Sequence, residues 1–185
     1  MRTALIFGML LCGAVAAFGK DKPPVVHRIP LPPRPDFSDL DWMVGEWEGK
    51  TAGKSPAGEI RLSVASELDR RYLIFHGEEK LDATPDLPEY KESWLGVMTR
   101  DTAGVGFILR VFSDTGFMTR YRATVAAGTV TFNQEGGELP PPGWLFRRII
   151  QRTDVGEILL KVQVAPPQKP FFDYYSSVLK RKTAE

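Results

Sequence analysis

The sequence predicts an all-β chain folded as a single antiparallel up-and-down β-barrel of about ten strands, with one short helix at its base. Three observations carry this expectation. From Gly45 onward the chain consists of short runs that alternate apolar and polar residues with period two. The joints between runs hold hairpin turn residues. No segment has the length and 3.6-residue period of a long helix. Closure is preferred to a two-sheet sandwich because only a closed ring removes exposed strand edges.

Residues 20–35 contain Pro23, Pro24, Pro30, Pro32, Pro33 and Pro35, a density that blocks helix and sheet and favours extended polyproline geometry. A linker is therefore expected over residues 18–35, ahead of a domain over residues 36–185. From Asp36 to Gly45, Ser38 and Asp41 are spaced as a capping pair and Gly45 supplies a stop, which fits one short helix. Strands are expected near residues 46–51, 58–66, 70–77, 90–99, 105–113, 117–125, 128–133, 144–152, 157–164 and 172–181. Asp101-Thr102-Ala103-Gly104, Ser113-Asp114-Thr115-Gly116, Ala127-Gly128 and Asp154-Val155-Gly156 read as hairpin turns, so consecutive strands pair. Alternation turns Val105, Phe107, Leu109 and Val111 inward, then Phe117, Thr119, Tyr121, Ala123 and Val125, then Ile158, Leu160, Val162 and Val164. For residues 90–98 both faces are apolar in part: Tyr90, Glu92, Trp94, Gly96 and Met98 on one, Leu95 and Val97 on the other. Either could be the inner face.

The 185 residues carry 24 Lys+Arg against 23 Asp+Glu, so no global field draws the chain to nucleic acid or anionic lipid. At the N-terminus Arg2, the apolar run from Thr3 to Leu11, and Ala14-Val15-Ala16 or Val15-Ala16-Ala17 make up a secretory signal, expected over residues 1–17. Export to the periplasm or beyond follows. A membrane anchor would need about 18 continuous apolar residues, whereas the run here is shorter and meets Lys20, Asp21 and Lys22. No membrane insertion is expected after cleavage. Cys12, the single cysteine, lies inside the signal. A lipoprotein reading would make Cys12 the acylated first residue, but Leu11 precedes it where a small residue belongs, so this reading ranks second. The exported chain then has no thiol, disulfide or Cys-based metal site.

Leu40-Asp41-Trp42-Met43-Val44-Gly45-Glu46-Trp47-Glu48-Gly49 resembles the Gly-x-Trp opening of lipocalins. It is more similar to a group of uncharacterised bacterial lipocalin-like (calycin) domains, to which Ser66-Glu67-Leu68-Asp69-Arg70-Arg71-Tyr72-Leu73 and Leu95-Gly96-Val97-Met98-Thr99-Arg100-Asp101 also correspond. The likeness runs from Asp36 to the C-terminus, and Gly45-Glu46-Trp47 is its specific part. It implies a calycin barrel with a ligand in its lumen. On the strand, Gly45, Trp47 and Gly49 share a face, and small-large-small suits a barrel base filled by an indole. The resemblance further implies a basic residue of the last strand over Trp47; of Lys180, Arg181 and Lys182, Arg181 has the planar group best suited to stacking. Haem-binding barrels of the nitrobindin type share Gly-x-Trp-x-Gly and ten strands. Here, however, Thr51 stands where the next alternate glycine belongs, and no His follows His76 to serve as that family's C-terminal iron ligand. Tyr174 and Tyr175 are the residues left that can ligate ferric haem. No cofactor is expected, haem included, and no metal.

The expected lumen residues are Tyr72, Trp94, Met98, Phe107, Leu109, Tyr121 and Phe146, enclosing a small apolar or amphipathic molecule. No Gly-x-Ser-x-Gly, His-Glu-x-x-His, phosphate loop or dinucleotide fingerprint is present, so ligand holding ranks ahead of catalysis. The alternative is a calycin-type isomerase, decarboxylase or hydrolase-like enzyme. Its acid–base group would be His76, at an expected strand end beside Glu78 and Glu79, or Glu92, an internal carboxylate paired with Arg148. His76 reads equally as a solvated strand end, and His27 lies in the tether. A third reading is a solid-cored interaction domain that meets a partner through the Pro-rich loops 82–89 and 136–143.

Overall fold

The computed structural model describes residues 32–52, 55–103, 105–138 and 142–183. The expected signal, Cys12, His27 and most of the Pro-rich linker lie outside these residues. After a short 3₁₀ helix, Ser38–Met43, come ten strands: β1 (Gly45–Thr51), β2 (Gly58–Glu67), β3 (Tyr72–Leu81), β4 (Tyr90–Arg100), β5 (Phe107–Ser113), β6 (Met118–Ala126), β7 (Thr129–Gly137), β8 (Leu145–Arg152), β9 (Ile158–Ala165) and β10 (Phe172–Arg181). Each strand pairs antiparallel with the next and β10 pairs back onto β1, so the ring is a closed up-and-down barrel.

Two strands outrun their expected ends. β3 continues through Gly77-Glu78-Glu79-Lys80 to Leu81, and β7 continues past Asn133 to Gly137. Polar residues that read locally as turns are held extended by their neighbours, β3 by an unbroken ladder from Glu67↔Tyr72 to Gly58↔Leu81. At the other extreme β5 begins only at Phe107, and Val105, expected inside, sits in the preceding turn at 98% exposure. The 3₁₀ helix uses no Ser38 side-chain cap; the Ser38 N–H instead donates to Asp36 Oδ1 at 3.0 Å.

One end of the barrel is plugged. Phe37, Leu40 and Met43 are buried there, and Phe37 stacks on Phe107 with centroids 4.9 Å apart. Trp47 donates its indole N–H to Met43 O at 2.8 Å, and in the β1–β10 ladder it faces Arg181. The Arg181 guanidinium carbon lies 4.4 Å over the Trp47 ring, and Nη1 donates to Val44 O at 2.9 Å. Gly45 is favoured at this corner by its φ of +139°, a conformation that other residues rarely adopt, and the missing Cβ leaves room for Arg181 Nη1. Gly49 sits one inward step beyond Trp47 along β1. Above the plug a layer of Leu62, Val64, Leu73, Phe75, Met98 and Phe132 fills the interior, with Phe75 edge-on to Phe132 at 6.1 Å.

Candidate functional site

The opposite half of the barrel is hollow. A cavity of about 950 Å³ opens between the loops at the unplugged end, lined there by Ser55, Pro56, Thr84, Leu87 and Phe117. Its walls are apolar, with Val111, Phe146, Val162 and Val164 among them, and its floor is polar. The Pro-rich loop 82–89 contributes Thr84, Asp86 and Leu87 to the mouth. The loop joining β7 to β8 lies at the same end and leads into Trp144, which also lines the cavity; its residues 139–141 are outside those described.

Arg148 makes the floor. It projects from β8 toward β3, five strands away in either direction round the ten-strand ring, and so crosses the full lumen. Its Nη1 donates to Glu79 Oε1 at 2.5 Å, its Nη2 lies 3.8 Å from Glu92 Oε2, and its guanidinium carbon sits 4.8 Å over the Trp94 ring. Trp94 donates its indole N–H to the same Glu79 oxygen at 2.9 Å. The Glu79 side chain is 2% exposed, and a carboxylate so deeply buried requires both partners. Gly77, facing Trp94 across the β3–β4 ladder, makes the arrangement fit: a Cβ at Gly77 would lie 2.1 Å from the indole. Below this strut the lumen narrows to a void too small for a ligand, between Ile60, Phe75, Leu109, Phe132, Ile150 and Leu160.

Tyrosines surround the floor. Tyr90 donates to Glu92 Oε2 at 2.5 Å. Tyr121 rises from β6, and Tyr174 and Tyr175 both reach the cavity although they are adjacent on β10. A bulge between Asp173 and Tyr175 explains this: the ladder skips Tyr174 and shifts the inward parity from Phe172 and Tyr174 to Tyr175, Ser177 and Leu179. Tyr175 is fully buried, and its hydroxyl has no hydrogen-bond partner among the described residues. Burial, reinforced by Glu92 and Glu79, holds Tyr90 in its neutral form well above the usual phenol range. Tyr121 and Tyr175 shift the same way, burial being the main cause in each. Arg148 moves upward too: burial alone would lower it, but the charged groups facing it, the Glu79 carboxylate foremost, outweigh that effect.

Of the residues expected in the lumen, Tyr121 and Phe146 line the cavity, while Trp94 and Leu109 form its floor and the packing beneath. Met98 is buried in the solid half, and Phe107 and Tyr72 stand at the plugged end, where neither lines the cavity. Glu92 and Arg148 are brought together as expected for β4 with Tyr90, Glu92 and Trp94 inward. His76 does not stand at the mouth. It lies in mid-strand with its side chain outward and exposed, because Leu73, Phe75, Gly77, Glu79 and Leu81 hold the inward parity. Glu79 is the residue the sequence reading missed; its signal was that same unbroken parity. Among the described residues no cluster of His, Cys, Asp and Glu is arranged to hold a metal ion, and no helix is long and apolar enough to cross a membrane.

No family model matches the chain, and no curated protein matches it. A solved structure does. The fold is similar to the crystal structure of Rv2717c from M. tuberculosis, with a TM-score of 0.55 and 18% identity over 80% of this chain and 97% of the other. At that identity the likeness shows the fold alone.

Proposed function

We propose that the barrel binds a small amphipathic molecule, its apolar body against Val111, Phe146, Val162 and Val164 and its polar end at the floor made by Arg148, Glu92 and Tyr90. The observation that carries this reading is the 950 Å³ cavity itself, which is open at one end, apolar along its walls and polar at its base. A barrel serving only as a scaffold has no need to leave half its interior unfilled. The calycin-like reading is supported by the Gly45-x-Trp47 opening, the short helix before it and Arg181 over Trp47. The setting we propose is export, on the strength of the Arg2, apolar-run and Ala14–Ala17 pattern.

The test is native mass spectrometry of protein purified from its own host, with titration of an apolar fluorescent probe into the emptied barrel. A released organic species near one-to-one, and probe uptake abolished by Val162→Trp, would support the reading. An empty barrel that also excludes the probe would overturn it.

A second reading has one observation behind it. Glu92, hydrogen-bonded by Tyr90 and close to Arg148, is the carboxylate positioned for acid–base work on a bound molecule. Loss of turnover in Glu92→Gln when the variant is saturated with ligand would favour catalysis over carriage.

A further inference from the structure

The charged groups that line the cavity are unequal in number: Glu79, Asp86 and Glu92 against Arg148. Arg148 is already committed. Its shortest contact goes to Glu79, whose Oε1 also takes the Trp94 indole N–H, and its face lies over that indole. Glu92 is left with the more distant side of the same guanidinium, 3.8 Å away, and one hydrogen bond from Tyr90, both on Oε2. Its Oε1 accepts no hydrogen bond from the described residues. The same cavity is lined by the rings of Tyr90, Tyr121, Phe146 and Tyr174.

From this geometry we infer that the cavity selects an organic cation, an amphipathic amine whose ammonium group sits against Glu92 Oε1 among the tyrosine rings. This inference rests on the binding reading above and specifies the ligand's charge. An ammonium supplies an N–H donor to the unused Glu92 oxygen and a charge that aromatic faces attract. A carboxylate ligand would instead have to share one guanidinium with Glu79 and Glu92, adding a third negative group to a partly buried site. A neutral alcohol would satisfy that oxygen but leave the surplus carboxylate without a counter-charge.

The experiment compares three probes of one chain length, decylamine, 1-decanol and decanoate, by calorimetric titration into the full exported chain at neutral pH. Decylamine is expected to bind at least about tenfold more tightly than either of the others. Glu92→Gln keeps the shape of the side chain and an acceptor for Tyr90. In this variant decylamine should lose about tenfold in affinity while 1-decanol is unchanged. Equal binding of all three, or preference for decanoate, would overturn the charge inference and leave the binding reading standing. Failure of all three to bind, with the apolar probe also excluded, would overturn both. The wild-type comparison decides the matter even if the variant fails to fold.

Discussion

Replacing Arg148 by Met tests the strut across the lumen most directly. The substitution keeps the apolar stem and removes the guanidinium from between two carboxyl groups on the opposite wall. Glu79, 2% exposed, would retain one donor, the Trp94 indole N–H, and Glu92 would lose the guanidinium 3.8 Å away. Breaking a buried ion pair from one side leaves an uncompensated charge and costs about 3–5 kcal/mol. That is a large part of the roughly 5–15 kcal/mol by which a domain is stable. Glu79→Gln in the same background removes the stranded charge and keeps an acceptor for Trp94, so the double variant should regain all but about 1–2 kcal/mol. Urea unfolding followed by tryptophan fluorescence, on wild type, both single variants and the double, gives the coupling directly. A cost below about 1 kcal/mol for Arg148→Met, or equal costs for single and double variants, would refute the assignment of Arg148 as counter-ion to a buried Glu79.

Three further outcomes follow from the geometry. Gly77→Ala places a Cβ 2.1 Å from the Trp94 indole, so the ring must move and release Glu79; a loss of about 1–3 kcal/mol in the same urea assay is expected, with a shift in tryptophan emission. Arg181→Ala removes the cation over Trp47 and the hydrogen bond to Val44 O at a site open to solvent, and should cost about 0.5–2 kcal/mol in thermal melts, whereas Arg181→Lys should recover only part of this. In alkali the sign is set by Tyr90, Tyr121, Tyr174 and Tyr175, all raised above the ordinary phenol value, burial leading in each. The stability they contribute is complete below the unfolded phenol value near pH 10 and is lost as pH rises beyond it. Tyrosinate absorbance from the three more deeply buried of these, Tyr90, Tyr121 and Tyr175, should therefore appear together with unfolding, and a titration of all three completed before the fold is lost would contradict their placement.

Much of the barrel was legible in the sequence because strands and hairpin turns are local. Period-two alternation, read over eight or ten residues, placed all ten strands and put Thr119, Tyr121, Ala123, Ile158, Leu160 and Val162 on the inner face. The Gly45-x-Trp47 opening marked the plugged end, because a large ring at a narrow base needs small neighbours, and the resemblance to lipocalins pointed to Arg181 over that ring, where it lies. Local reading failed where a polar run is held extended by its partners. Gly77-Glu78-Glu79-Lys80 has turn composition, and only the ladders to β2 and β4 make it a strand. That error moved His76 to a mouth it does not reach and hid Glu79.

The site itself was decided by closure. Arg148 meets Glu79 because β8 and β3 stand opposite one another once ten strands form a ring, a relation that no spacing along the chain encodes. Closure also settles β4, whose two faces are too alike to choose between by pattern; the ion pair and the Trp94 hydrogen bond require Glu92 and Trp94 inside. The bulge at Tyr174 breaks the alternation that sequence reading depends on, and so brings two consecutive tyrosines into one cavity. Sequence determined which residues face inward along strands with one apolar face and unbroken alternation, since that depends on a residue's neighbours two positions away. Tertiary structure alone decided which inward residues meet across the lumen and how much of it stays open, since both depend on register between strands far apart in the chain.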